Sequence, residues 1–217
     1  MQDLVNVTAI VLEVTPVGEY DRRVVLLTKE RGKITAFAKG ARRPTSKLIA
    51  ATNLFAFGEF RLYPGRNAYT MTDARIQNYF EELRVDFEGA YYGMFFLEVC
   101  DYYTRENNDE MEFLKLIYQS LKALMVKSLN RKLVQCIFEM KAMVINGEFP
   151  GIPADRVWQE STEYAVSYIT NASIEKLYTF TVSETVLNEL IRIVESYRIR
   201  YIDREFKSLE MLSVLGE

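Results

Sequence analysis

Residues 9–48 read AIVLEVTPVGEYDRRVVLLTKERGKITAFAKGARRPTSKL, and their periodicity decides the fold. Val5, Val7, Ala9 and Val11 alternate with Asn6, Thr8, Ile10 and Leu12, the two-residue period of a strand whose second face turns apolar toward its end. Pro16 and Gly18 mark a turn, and residues 23–28 form a second aliphatic run. Lys29-Glu30-Arg31-Gly32 is a hairpin-type connection ending in glycine. Residues 33–39 alternate again, with Ile34, Ala36 and Ala38 on one face and Lys33, Thr35, Phe37 and Lys39 on the other.

A loop over 40–44 and a short helix over 46–52 follow. Residues 55–63 and 68–73 supply two more strands, joined across Pro64-Gly65-Arg66-Asn67, a strong turn signal. Five short strands with a helix after the third predict a five-stranded OB-type β-barrel. Several of Phe55, Phe57 and Phe60 are expected to fill it.

Near residues 80–84 the period changes to that of helices. Residues 87–103 are apolar and aromatic nearly all round, as in a central buried helix. Asn107-Asn108-Asp109 precedes a helix over 110–128, and Asn130 a helix over 131–145 that ends at Asn146-Gly147. Pro150 and Pro153 mark a loop, and Thr181-Val-Ser-Glu184 fits a capping box before a helix over 186–201. The fold class is therefore α+β: a barrel domain over residues 1–80, followed by an α-helical bundle domain over 81–217.

Charge divides the chain at the same place. Residues 1–80 hold twelve basic and seven acidic side chains, net +5; residues 81–217 hold fifteen and twenty-three, net −8. Between Arg22 and Arg66 lie eleven cations against Glu30 and Glu59 alone, net +9. Segregated positive charge on a small β domain is an electrostatic footprint for nucleic acid. The candidate contacts are Arg22, Arg23, Lys33, Lys39, Arg42, Arg43, Lys47, Arg61 and Arg66. Phe37 lies among the lysines of its strand, and Tyr63 and Tyr69 flank Arg66. Cations that neutralise phosphate, interleaved with rings that stack on bases, suit single-strand binding.

Catalytic chemistry has little to work with. The chain has no histidine, which removes the commonest general base and metal ligand. Its two cysteines, Cys100 and Cys136, sit in apolar helical runs and read as buried reduced thiols. The acids Asp101, Glu106, Asp109, Glu110 and Glu112 could suggest a metal-dependent nuclease, but read better as a solvated helix start. No phosphate-cradling glycine loop is present. No catalytic residue, metal site or cofactor is expected. The N-terminus lacks a signal-peptide pattern and no run approaches a membrane span, so a cytoplasmic protein without a membrane partner is expected.

The order of these motifs resembles the RecO recombination mediator family. It is carried by Ala9-Ile-Val-Leu12, Gly18-Glu-Tyr-Asp21, Val25-Leu-Leu-Thr28, Gly32-Lys33, Ala38-Lys-Gly-Ala-Arg-Arg43 and Ser46-Lys-Leu48. Residues 139–150 and the closing Arg204-Glu-Phe-Lys-Ser-Leu-Glu-Met-Leu212 extend it over nearly the whole chain. The resemblance implies an OB domain followed by a helical domain and a non-enzymatic role in DNA repair and recombination. It implies binding of single- and double-stranded DNA, strand annealing, and work with RecR to load RecA on DNA coated by single-strand-binding protein. Many members carry a four-cysteine zinc site after the proline segment; residues 151–168 here contain no cysteine, so zinc is not expected. Lys122, Lys127, Arg131 and Lys132, basic residues beside apolar ones, are the candidate docking surface for the acidic tail of single-strand-binding protein. The alternatives are an OB-fold adaptor that binds protein, or an RNA binder.

Overall fold

The computed structural model describes residues 3–215. Five strands, β1 (Val5–Val17), β2 (Asp21–Thr28), β3 (Gly32–Ala38), β4 (Phe57–Pro64) and β5 (Tyr69–Asn78), form a closed barrel in the order β1-β2-β3-β5-β4. Neighbouring strands are antiparallel except β3 and β5, which run parallel at Ala36↔Tyr69 and Phe37↔Thr70. A single helical turn, α1 (Leu48–Ala51), links β3 to β4. This is the OB-type arrangement the alternation predicts, and the molecule is α+β.

The barrel interior follows from side-chain parity. Val7, Ala9, Val11, Val24, Leu26, Ile34, Ala36, Ala38, Phe60, Leu62 and Met71 point inward and are buried. Alanines on β1 and β3 let the strands approach, and Phe60 fills the space they leave. Of the three candidate rings only Phe60 belongs to this cluster: Phe55 is buried outside it, and Phe57 is half-buried. Removing the Phe60 ring would cost about 3–5 kcal/mol.

The helices are α2 (Glu81–Val85), α3 (Phe87–Tyr103), α4 (Met111–Leu124), α5 (Arg131–Ile145), α6 (Glu160–Asn171), α7 (Glu184–Tyr201) and α8 (Lys207–Leu215). The chain divides into two compact units, Met1–Glu81 with Cys100–Leu114, and Glu82–Val99 with Lys115–Glu217. In the second unit Phe96 of α3 stacks on Phe138 of α5 at 4.1 Å, and Phe95 meets Phe206 edge-on at 5.4 Å. Arg198 of α7 donates to both carboxylate oxygens of Glu139 on α5, at 2.9 and 2.7 Å.

Several boundaries differ from the sequence expectation. The helix expected over 46–52 is one turn, and the one expected over 110–128 stops at Leu124, where Met125 and Val126 close tighter i→i+3 turns. β5 runs five residues past Asp73. The cap of α7 is Ser183, whose hydroxyl accepts from Val186 N at 3.3 Å, rather than Thr181. Helices α2, α6 and α8 are additional.

Candidate nucleic-acid interface

Five of the nine candidate cations lie on two connections, β3–α1 (39–47) and β4–β5 (65–68), while a third connection, β1–β2 (18–20), carries none. The β1–β2 and β3–α1 connections are joined by hydrogen bonds. Arg42 N donates to Tyr20 O at 2.8 Å, and the Arg42 guanidinium reaches Gly18 O at 3.3 Å. The Arg43 guanidinium lies 4.9 Å from the centre of the Tyr20 ring, a cation–π contact. Asp21 Oδ1 accepts from Gly40 N at 2.7 Å and fixes the start of the β3–α1 loop. Lys39, Arg42, Arg43, Lys47 and Arg66 are exposed, and among the described residues none of them forms an ion pair.

Other candidates serve the barrel itself. Arg22 Nη1 lies 2.9–3.1 Å from Ile49 O, Thr52 O, Thr52 Oγ1 and Asn53 Oδ1, so it ties β2 to α1. Burial, and then repulsion from Arg42, lower its pKa. Lys33 Nζ donates to Asp101 O at 2.5 Å and Asp101 Oδ1 at 3.0 Å. Arg23 pairs with Glu13 at 3.1 Å while both stay substantially exposed. Arg61 is exposed on β4 opposite Asp73 of β5, so positive charge there is offset across the strands.

Strand parity also separates the rings. Tyr69 packs on the barrel core, opposite Ala36. Phe37 and Tyr63 sit on the outer face, the first half-buried and the second exposed. The outward position of Phe37 is legible in the alternation of β3. The inward turn of Tyr69 depends on the parallel β3–β5 register, which no local pattern carries.

Three of the five acids near the α3–α4 connection hold local structure, while Glu106 and Glu112 are exposed. Asp101 holds Lys33, Asp109 accepts from Met111 N at 3.2 Å, and Glu110 accepts from Arg105 N at 2.9 Å. Glu110 is buried rather than solvated, unlike the open helix start expected from the sequence. Among the described residues no group of three or more histidine, cysteine or acidic side chains could hold a metal ion. The stretch 151–168 does not fit a zinc ion. In place of thiolates it has Trp158, whose indole N–H donates to Pro153 O at 2.6 Å, with Arg156 5.1 Å from its ring. Cys100 and Cys136 are buried on α3 and α5, and burial pushes both thiols far up, which disfavours the thiolate that zinc binds. Among the described residues no helix is long and apolar enough to cross a membrane.

The helical candidates separate as well. Arg131 is bonded to Asp86 and Glu88. Lys127 and Lys132 line a groove of about 1420 Å³ together with Val126, Leu129, Leu187 and Ile191. Lys122 is exposed and lies 5.9 Å from the Tyr118 ring, outside that groove.

The chain is thus a closed OB-type barrel followed by helices, with exposed cations on two of the barrel's connecting loops, an architecture shared by many nucleic-acid-handling proteins. Comparison with known proteins makes this specific. Residues 1–80 match the family model for the N-terminal part of recombination protein O, and residues 84–152 match the model for its C-terminal part. The DNA repair protein RecO of Acetivibrio thermocellus is 26% identical, with 96% of each chain covered. That of Clostridium perfringens strain 13 is 23% identical over 99% of each chain, and that of Bacillus mycoides 26% over 73% of this chain and 64% of its own. The chain belongs to the RecO family of DNA repair proteins.

Proposed function

We propose that the chain binds single- and double-stranded DNA through the loop end of its barrel, promotes annealing, and works with RecR to load RecA on DNA coated by single-strand-binding protein. It acts in the cytoplasm and makes or breaks no covalent bond. Residues 1–80 form the DNA-binding domain, and residues 81–217 serve as scaffold and protein-docking surface. The observation that carries this reading is the group Lys39, Arg42, Arg43, Lys47 and Arg66, exposed and without ion pairs among the described residues. Exposed cations neutralise phosphate without first breaking an ion pair. In the helical domain, Lys127 and Lys132 offer positive charge to an acidic tail at a groove that Glu82, Asp86, Glu88 and Glu184 also line. Arg131 contributes less, because two carboxylates already hold it.

The test is a titration of labelled single-stranded DNA at several salt concentrations. If about 4–6 phosphates are contacted, log K falls against log salt with a slope of about −3 to −4. Changing Arg42 and Arg43 together to Ala removes about 1.4 from that slope and weakens all sequences alike, since phosphate contacts carry no sequence information. A slope near zero for the unaltered chain would overturn the DNA-binding reading.

A further inference from the structure

The outer face of the barrel carries one continuous cross-strand row. Thr15 of β1 pairs with Arg23 of β2, Arg23 with Phe37 of β3, Phe37 with Thr70 of β5, and Thr70 with Tyr63 of β4. Their neighbours along the strands, Val24, Ala36, Ala38, Met71 and Leu62, all face inward, so parity puts the whole row outside. The row runs toward the end of the barrel where the basic loops lie: Tyr63 is followed by the 65–68 turn, and Phe37 is two residues before Lys39.

The rings in this row are unusual for an outer β surface. Tyr63 is 47% exposed. Neither it nor Phe37 makes a ring–ring or cation–π contact among the described residues. They are separated by one strand, a lateral distance of about 10 Å. The residue between them is Thr70, half-buried and short, so the row has an aromatic at each side of a low point. Arg23 closes the β2 side, and its guanidinium is held in place by Glu13. Tyr63 presents ring surface to water, and half-buried Phe37 presents part of its own; an unpaired nucleobase supplies a flat apolar partner for both. In a duplex every base face is already stacked, so the same rings find no partner there.

We propose that Phe37 and Tyr63 form a base-stacking subsite that selects single-stranded over double-stranded DNA, while the loop cations hold phosphates of either. This rests on the DNA-binding reading above and adds to it the origin of strand preference. Stacking on a ring changes affinity by roughly 5- to 150-fold per base. The loop cations act on any phosphate chain.

The experiment uses the full chain with Phe37→Leu and Tyr63→Leu, which keep apolar bulk on the strands but remove the π face, and Tyr63→Phe, which keeps it. Affinity is measured for a labelled oligo(dT) and for a mixed-sequence duplex of equal length, each at several salt concentrations, with melting curves to confirm that the fold is retained. The expected result is a loss of at least about tenfold on oligo(dT) for the double leucine variant, less than twofold on the duplex, and an unchanged salt slope. Tyr63→Phe alone is expected to bind oligo(dT) like the unaltered chain. Equal losses on both DNAs, or no loss on oligo(dT) while the unaltered chain still binds with a clear salt slope, would overturn the stacking subsite and leave the DNA-binding reading standing. Salt-independent or absent binding by the unaltered chain would remove both. Tighter binding of oligo(rU) than of oligo(dT), lost in the leucine variant, would assign the rings to RNA and overturn their assignment to DNA.

Discussion

Gly32 and Gly18 both lie in the left-handed region, at φ +65° and +55°, yet their surroundings differ. A Cβ on Gly32 would stand 2.3 Å from Arg105 O and 2.9 Å from Asn108 O, whereas one on Gly18 would meet nothing within 4 Å. The close approach exists because the 105–107 segment bonds to the start of β3, with Lys33 N donating to Arg105 O and Asn107 N to Arg31 O. Gly18→Ala should therefore cost about 1 kcal/mol, the left-handed penalty alone. Gly32→Ala should cost about 3 kcal/mol or more, because backbone must move as well. Urea unfolding of the two variants checks this, and equal costs would contradict the close approach. A second residue-scale case is the Glu139–Arg198 pair, with Glu139 3% exposed and also held by Gln135 at 2.8 Å. Burial raises the Glu139 pKa, with Arg198 opposing. A carboxyl raised on folding binds protons more tightly in the native state. Its contribution is thus full below the ordinary carboxylate range and declines as pH climbs through the raised value. The stability of the unaltered chain relative to Glu139→Gln should fall accordingly between acid and neutral pH. Arg198→Ala should cost about 3 kcal/mol by leaving a buried carboxylate unpaired, and denaturation at fixed pH measures it.

At the scale of elements, α7 offers a sharp comparison between pattern and geometry. Thr181 and Ser183 both precede its first turn, and the capping-box spacing to Glu184 favours Thr181. The Ser183 hydroxyl makes the bond, to Val186 N. Ser183→Ala should therefore cost about 1 kcal/mol and Thr181→Ala much less, as thermal melts of the two variants would show. The strong helices were legible because their signals are local. α3 and α5 begin and end where apolar runs and the Asn130 and Asn146-Gly147 flanks place them. α6 was not, because ESTEYAVSYITN is rich in residues of weak helix propensity and its buried face includes Thr162. The full length of β5 is hidden in the sequence because a bulge at Thr72 shifts its parity, so that Met71 faces the core and so do Ala74 and Ile76, three and five residues on. The candidate interface divides along the same line. Loop cations could be read from composition. The capture of Arg22 by residues 27 to 31 positions away, and of Lys33 by Asp101, required the tertiary structure.

At the scale of the molecule, the charge division sets the chemistry open to it. Two complementary strands repel through their phosphates, and a surface that neutralises parts of both lowers that barrier while base pairing supplies the specificity. The barrel segment from Arg22 to Arg66 carries net +9, and residues 81–217 carry net −8, which is the basis for proposing that DNA is drawn to the first and not the second. Annealing of complementary oligonucleotides should be accelerated at low salt. The effect should fade as the screening length shortens from about 10 Å at 0.1 M to about 3 Å at 1 M. Neither ATP nor magnesium should be required, since the chain has no phosphate-cradling glycine loop and, among the described residues, no cluster of metal ligands. A variant with Lys39, Arg42, Arg43 and Lys47 changed to Ala should lose most of the acceleration. Asp109→Asn with Glu112→Gln should keep it, because these exposed acids lie outside the basic loops. Following duplex formation and strand length together reads both predictions at once. Undiminished annealing by the fourfold basic variant would place the DNA surface elsewhere on the molecule. Strand cleavage abolished by the acidic substitutions would replace an annealing protein with a nuclease.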